Sequence, residues 1–298
     1  MNVPSNYGFD PGNPAPETVV AWLDDGHPRA GSDSYRTVVM GNQREIVEFL
    51  QPPPFRRGTP MHATLDRSGP GSATVLEWQE VHHHDIGLGD IPAHWVSRQG
   101  RPATVQIERL VAGIEDLAIA DLARAVLTYP TVAMRFFRAP ASRTHHHAFP
   151  GGLAVHSEEV ARFGAKMLIP DNPAHGYEAD LVTAAALLHD LGKCLPGVGF
   201  EAHEAAGQKL VTLVSQRLPD TGCQQHKDVL SILAPKLSRE ASESAVRRAV
   251  RHADQSSAGR AASAIAFKGA KSDRRSSFRT WSGAVSYERF PTPPNGVA

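Results

Sequence analysis

The chain has 298 residues, 41% of them hydrophobic and 21% charged. That length admits one large domain or two ordinary ones, and the apolar content excludes a wholly disordered chain. Lys plus Arg total 31 and Asp plus Glu total 31. The balance excludes a surface that is basic throughout and leaves only a local basic groove for any polyanion. No apolar run reaches about 18 residues, the span of a bilayer. The opening segment MNVPSNYGFDPGNPAPE has no secretory pattern. A soluble, cytoplasmic protein without a membrane partner is expected. Cys194 and Cys223 form no CxxC pair, so neither a disulfide framework nor a thiolate zinc site organises the fold. Histidine stands out, with nine of its 15 copies between His145 and His252.

Residues 1–34 are rich in Pro, Gly, Asp and Ser and read as an irregular lead with one short helix at Glu17–Leu23. Residues 35–104 read as a small, partly β region. Its β-like runs, Tyr35–Met40 and Ala73–Val81, flank QPPPFRRGTP, which cannot be a helix interior. The triplet His82, His83 and His84 reads as an exposed turn. From residue 105 to about 260 the pattern is helical. Ile107, Leu110, Val111, Ile114 and Leu117 share one face, and a second amphipathic stretch runs to Tyr129. Tyr129 itself reads as an ordinary helix-end tyrosine. The segment RFFRAPASRTHHHAFPGG is loop-like and opens the helix LAVHSEEVARFGAKML. There Leu153, His156, Val160, Phe163 and Met167 repeat at helical steps, which puts His156 on an apolar face. Further helices are predicted at Glu178–Leu191, ending at Gly192, and at His203–Leu218, His226–Leu233 and Glu240–Asp254. Periodicity is lost from Ala261. Residues 261–298 read as a basic, mobile tail, since Lys268–Arg289 holds six Lys/Arg against Asp273 and Glu288. No GxxxxGK[ST] phosphate loop is present. The predicted fold class is mainly α, a helical bundle preceded by a small, partly β N-terminal region.

The helical part carries an ordered set: His156 on one helix, His189 and Asp190 at the end of another, and Asp254 on a late one. A buried ionised carboxylate is costly unless it is paired or bound to metal. Imidazoles and carboxylates together suit Mn, Fe, Co, Ni or Zn, and Mg is admitted. Adjacent helical residues diverge by about 100°, so His189 and Asp190 share one ion only near a helix end, where Gly192 places them.

The order His … His-Asp … Asp resembles the HD-domain metal-dependent phosphohydrolases. The matching pieces are GGLAVHSEEVA (151–161), AALLHDLGK (185–193) and RHADQSS (251–257), and the resemblance covers roughly residues 105–258. It implies an all-helical HD fold, a metal held by His156, His189, Asp190 and Asp254, and phosphoester hydrolysis. The stretch APASRTHHHAFPGGLAVHS is similar to two branches. One is the MobH-class (TraI-type) relaxase domain of conjugative elements. The other is the YhaM-type 3′–5′ exoribonuclease family, which places an OB-fold before its HD domain. Both imply a single-stranded nucleic acid as partner. Two-metal branches further imply His203 and His226 as ligands of a second ion, with Asp190 bridging, so one or two divalent ions are expected.

In such a site a metal-activated water attacks phosphorus in line, and no nucleophilic Ser or Cys is needed. Lys193 is placed to neutralise a phosphoryl oxygen. Of His145, His146 and His147, one or two face the site as phosphate donors or as a general acid, and at least one faces solvent. Gly151 and Gly152 allow close backbone approach. Arg138 and Arg143 flank the loop as candidate phosphate contacts, and Cys194 reads as a small buried apolar residue. The main expectation is a metal-dependent phosphodiesterase acting on single-stranded DNA or RNA. The alternatives are a nucleotide phosphohydrolase and a non-catalytic accessory protein of a mobile element.

Overall fold

The computed structural model describes residues 15–24, 34–54, 57–68, 72–81, 86–144, 146–168, 175–199, 202–234, 244–266, 277–279 and 286–288. His145, the His82–His84 turn and the mobility expected of the tail fall outside them. Within the tail, β6 (Ser277–Arg279) and β7 (Ser286–Glu288) pair antiparallel.

Five strands come first: β1 (Glu17–Leu23), β2 (Tyr35–Met40), β3 (Gln43–Phe49), β4 (Pro60–Asp66) and β5 (Thr74–Glu80). They close into a barrel in the order β1-β2-β3-β5-β4. All neighbours are antiparallel except β3 and β5. Two expectations are corrected here. Glu17–Leu23 is a strand, not a helix, and the partly β region at 35–104 holds four strands rather than the two that its apolar runs suggest. The sequence ETVVAWL has adjacent β-branched residues that favour extended backbone, and β1 is the stave that pairs with both β2 and β4 to close the barrel. Ala21, Leu23, Val38, Val47, Phe49, Met61, Ala63, Leu65 and Val75 fill its own core.

The helical part comprises α1 (Arg101–Ala112), α2 (Leu117–Thr128), α3 (Pro130–Ala133), α4 (Gly152–Met167), α5 (His175–Leu188), α6 (His203–Ser215), α7 (Gln224–Leu233) and α8 (Ala245–Ala266). The mainly α fold with a small N-terminal β module is therefore as expected. Leu117, expected on the buried face of the preceding helix, is 76% exposed. The first helix stops at Ala112, and Asp116 caps a new one by accepting from the Ile119 backbone N–H, so the earlier periodicity does not carry through.

α4 lies at the centre, packed on both α5 and α8. The barrel meets the helical part through Trp22, which packs edge-on to Trp95 at 5.5 Å and belongs to the helical core. Beside it Asp24, nearly fully buried, accepts from Trp95 Nε1 at 3.2 Å and pairs with Arg44, Arg57 and His94.

Candidate metal centre

His156 is the fifth residue of α4 and is fully buried. His189 and Asp190 lie in the turn just after α5, before a short 3₁₀ turn Leu191–Cys194. That turn frees the pair from the helical divergence that would otherwise separate their side chains. Asp254 comes from α8, and His203 from the first position of α6. Gly192 lets the turn press on α6: a Cβ there would stand 1.8 Å from the His203 carbonyl oxygen.

His156, His189 and Asp254 each present a ligand atom within 4.8 Å of the others. His156 Nε2 lies 3.1 Å from Asp254 Oδ1 and 3.4 Å from Asp190 Oδ2, and His189 Nε2 lies 3.3 Å from that same Asp190 oxygen. The other Asp190 oxygen lies 3.3 Å from His203 Nε2. Among the described residues neither His156 Nε2 nor His189 Nε2 has a hydrogen-bond partner, and both atoms are buried. The short distances to carboxylate oxygens are therefore contacts without hydrogen-bond alignment.

The opposite ring nitrogens explain this. His189 Nδ1 is 2.7 Å from the Ala186 carbonyl oxygen, which only accepts, so the proton sits on Nδ1. His156 Nδ1 is 3.1 Å from Ser257 Oγ, and that hydroxyl donates its only proton to Glu159 Oε2 at 2.7 Å. The serine oxygen thus accepts from His156 Nδ1. With Nδ1 carrying a proton on each ring, Nε2 is the atom that each would offer to an ion in its neutral form, as metal-ligating histidines do when an outer partner fixes the tautomer. Two orphaned, buried lone pairs beside two carboxylates fit a divalent transition ion.

Without an ion, the surrounding carboxylates favour a proton on both rings. Burial lowers the basicity of His156 and His189, but Asp190 and Asp254 outweigh it, raising His156 and bringing His189 to about 9. Burial works against ionisation of Asp190 and Asp254 too, yet the histidines hold Asp190 well below, and Asp254 below, the usual carboxylate range. A field that attracts protons this strongly also attracts a cation, which would compete with them. Glu159 is likewise kept ionised: burial is outweighed by His147 and Ser257.

Lys193 donates to Asp190 Oδ2 at 2.5 Å. His146 and His147 stand on the other side, with ring centroids 5.2 and 5.5 Å from His156. Burial, then the charges of His156 and Lys193, depress His146 to about 4, so it is neutral at pH 7. His147 is buried, its Nε2 lies 3.5 Å from Glu159, and its backbone has φ +49°. That left-handed conformation is unusual for a residue with a side chain. Gly151 and Gly152 make room for it. Gly151 has φ +86°, and a Cβ on Gly152 would stand 1.9 Å from the His147 carbonyl oxygen.

Three expected residues are not brought to the cluster. His226 Nε2 faces the Ala118 carbonyl oxygen at 3.2 Å on α2, so that nitrogen is committed to donation there. Arg138 and Arg143 are exposed and make no side-chain hydrogen bond or ion pair among the described residues. Cys194 is buried, and burial pushes its thiol up to about 12, as its apolar reading implies. Sequence reasoning missed Glu159 and Ser257. Both lie inside the quoted HSEEVA and RHADQSS pieces, at helical steps of three from His156 and Asp254.

A family model described as HD domain matches residues 153–259, a segment that contains every histidine and aspartate of the cluster except His146 and His147. HD domains are in general metal-dependent phosphohydrolases. No curated protein and no solved structure matches the chain.

Proposed function

We propose that the chain hydrolyses phosphodiester bonds of single-stranded nucleic acid at a divalent metal held by His156, His189, Asp190 and Asp254. The observation that carries the hydrolytic half is the pair of buried Nε2 atoms, without a hydrogen-bond partner among the described residues, close to the Asp190 and Asp254 carboxylates. A bound divalent ion would supply Lewis acidity toward water and a phosphoryl oxygen. The chain's own residues do the rest. Asp190 holds its position between the two ligand histidines and His203. Lys193, paired to Asp190, carries positive charge at the rim for a phosphoryl oxygen. His146, neutral and only partly buried, is the imidazole available to hydrogen-bond a substrate oxygen. With His226 turned to α2, a single ion is the reading favoured, His203 supporting Asp190 from its second oxygen.

The nucleic-acid half is supported by the barrel. A closed barrel of five strands is similar to the OB-fold, a five-stranded barrel that presents a strand face to oligonucleotides. Its position ahead of the helical domain is what the exoribonuclease resemblance calls for. The test is metal analysis with a cleavage panel of single-stranded DNA, single-stranded RNA, duplex and free nucleotides. Cleavage of a single strand that vanishes with metal occupancy in Asp190→Ala is expected. Turnover of free nucleotides alone would replace this reading with a nucleotide phosphohydrolase. Bound metal without turnover of any substrate would make the chain an accessory protein.

A further inference from the structure

We propose that Glu159 and Ser257 are positioning residues, a two-armed relay that joins the ligand His156 to the strained His147. The inference rests on the metal-centre reading above and assigns roles to two residues outside the ligand set. Glu159 lies one turn after His156 on α4, and Ser257 one turn after Asp254 on α8. The relay therefore spans the seam between the two helices that carry the ligands. Ser257 is fully buried, so its hydroxyl proton has no solvent alternative. Glu159 accepts that proton at 2.7 Å, which leaves the serine oxygen to accept from His156 Nδ1 at 3.1 Å. The result is a polarised chain that aims the Nε2 lone pair of His156.

The second arm runs from the same Glu159 oxygen to His147 Nε2, 3.5 Å away. His147 needs such an anchor. Its backbone is in the left-handed region, a conformation that costs about 1–3 kcal/mol and persists only where the surroundings over-determine it. The Ala141 backbone N–H holds its carbonyl at 3.1 Å, and Glu159 holds its ring. One carboxylate oxygen thus registers the histidine loop against the ligand helix.

The test uses the full-length protein with Co(II) as the probe ion. Ser257→Ala should weaken Co(II) binding by about 10- to 100-fold and shift its visible spectrum, while the metal-free protein melts as a folded chain. Ser257→Thr, which keeps the hydroxyl, should restore both. Glu159→Ala should weaken binding similarly, and the double variant should be no worse than either single one, because both break the same chain. In the Zn(II)-loaded protein, ring ¹⁵N resonances should show the proton of His156 on Nδ1. The His147 ring signals should move in Glu159→Ala but not in Ser257→Ala. Additive losses in the double variant, or no rescue by threonine, would overturn the relay to His156. Unmoved His147 signals in Glu159→Ala would overturn the second arm. A wild-type protein that binds neither Co(II) nor Zn(II) would instead overturn the metal-centre reading itself.

Discussion

At the scale of single residues, the loop around His147 depends on what Gly152 lacks. A Cβ there would meet backbone, the His147 carbonyl oxygen at 1.9 Å, and backbone cannot swing aside as a long side chain can. Gly152→Ala is expected to cost about 1–3 kcal/mol in overpacking and to pull His147 off Glu159. Gly199→Ala, where nothing among the described residues lies within 4 Å of the added carbon, should stay within about 0.5 kcal/mol. Denaturant midpoints of the two variants decide this, and equal midpoints would contradict it. The candidate ligands were legible because a histidine on an apolar helical face and an aspartate in a buried turn demand an explanation. Glu159 and Ser257 carried no such demand. A glutamate and a serine in helices pass as surface residues until α4 and α8 are known to abut. His226 failed for the opposite reason: a helix-start histidine looks like a ligand, but the direction of its ring is set by α2, which spacing along the chain does not reveal.

Among the elements, the helices followed from periodicity, while the barrel did not. β1 lacks clean alternation because a closed barrel docked on a second body buries consecutive residues, Ala21, Trp22 and Leu23, on both of its faces; β4 does alternate, with Met61, Ala63 and Leu65 buried, but a single short run of this kind is a weak signal. Val38 points into the barrel core, while its neighbour Val39, also buried, is outside that core. The docking is anchored at Asp24. Burial alone would raise its pKa above the ordinary 3.8, but hydrogen bonds from His94 and Arg57 and the charges of His94 and Arg44 lower it. A carboxyl whose folded pKa is depressed contributes stability above its unfolded pKa and loses it as pH falls through the folded value. Asp24→Ala is therefore expected to cost about 1.5–3 kcal/mol at neutral pH, the range for hydrogen bonds to a charged group. The gap to wild type should begin to narrow near pH 4, the unfolded carboxyl range, and close only as the pH falls through the depressed folded value. Urea titrations at pH 7 and pH 3 measure it, and a gap that is constant with pH would show that the Asp24 charge is not what holds the junction.

For the whole molecule, the proposed metal ligands come from three separated segments, so an ion that binds only the folded chain would stabilise the helical part as a unit. At a free metal concentration about 100 times Kd, the gain is about 2.7 kcal/mol. For a body of this size each kcal/mol is worth about 2–4 °C of melting temperature, so a rise of several degrees is expected. Asp190→Ala should abolish it. The barrel holds no ligand and has its own apolar core, yet Trp22 and Asp24 tie it to the helical core. If that tie is strong, calorimetry of the wild-type chain shows one transition, and metal moves all of it. In Asp24→Ala the barrel should melt separately at a temperature that metal leaves unchanged, while the helical transition still rises. Two transitions already in the wild type, with only one responding to metal, would mean that barrel and metal centre are thermodynamically independent. The barrel could then deliver a strand to the site but could not feel whether the site is loaded.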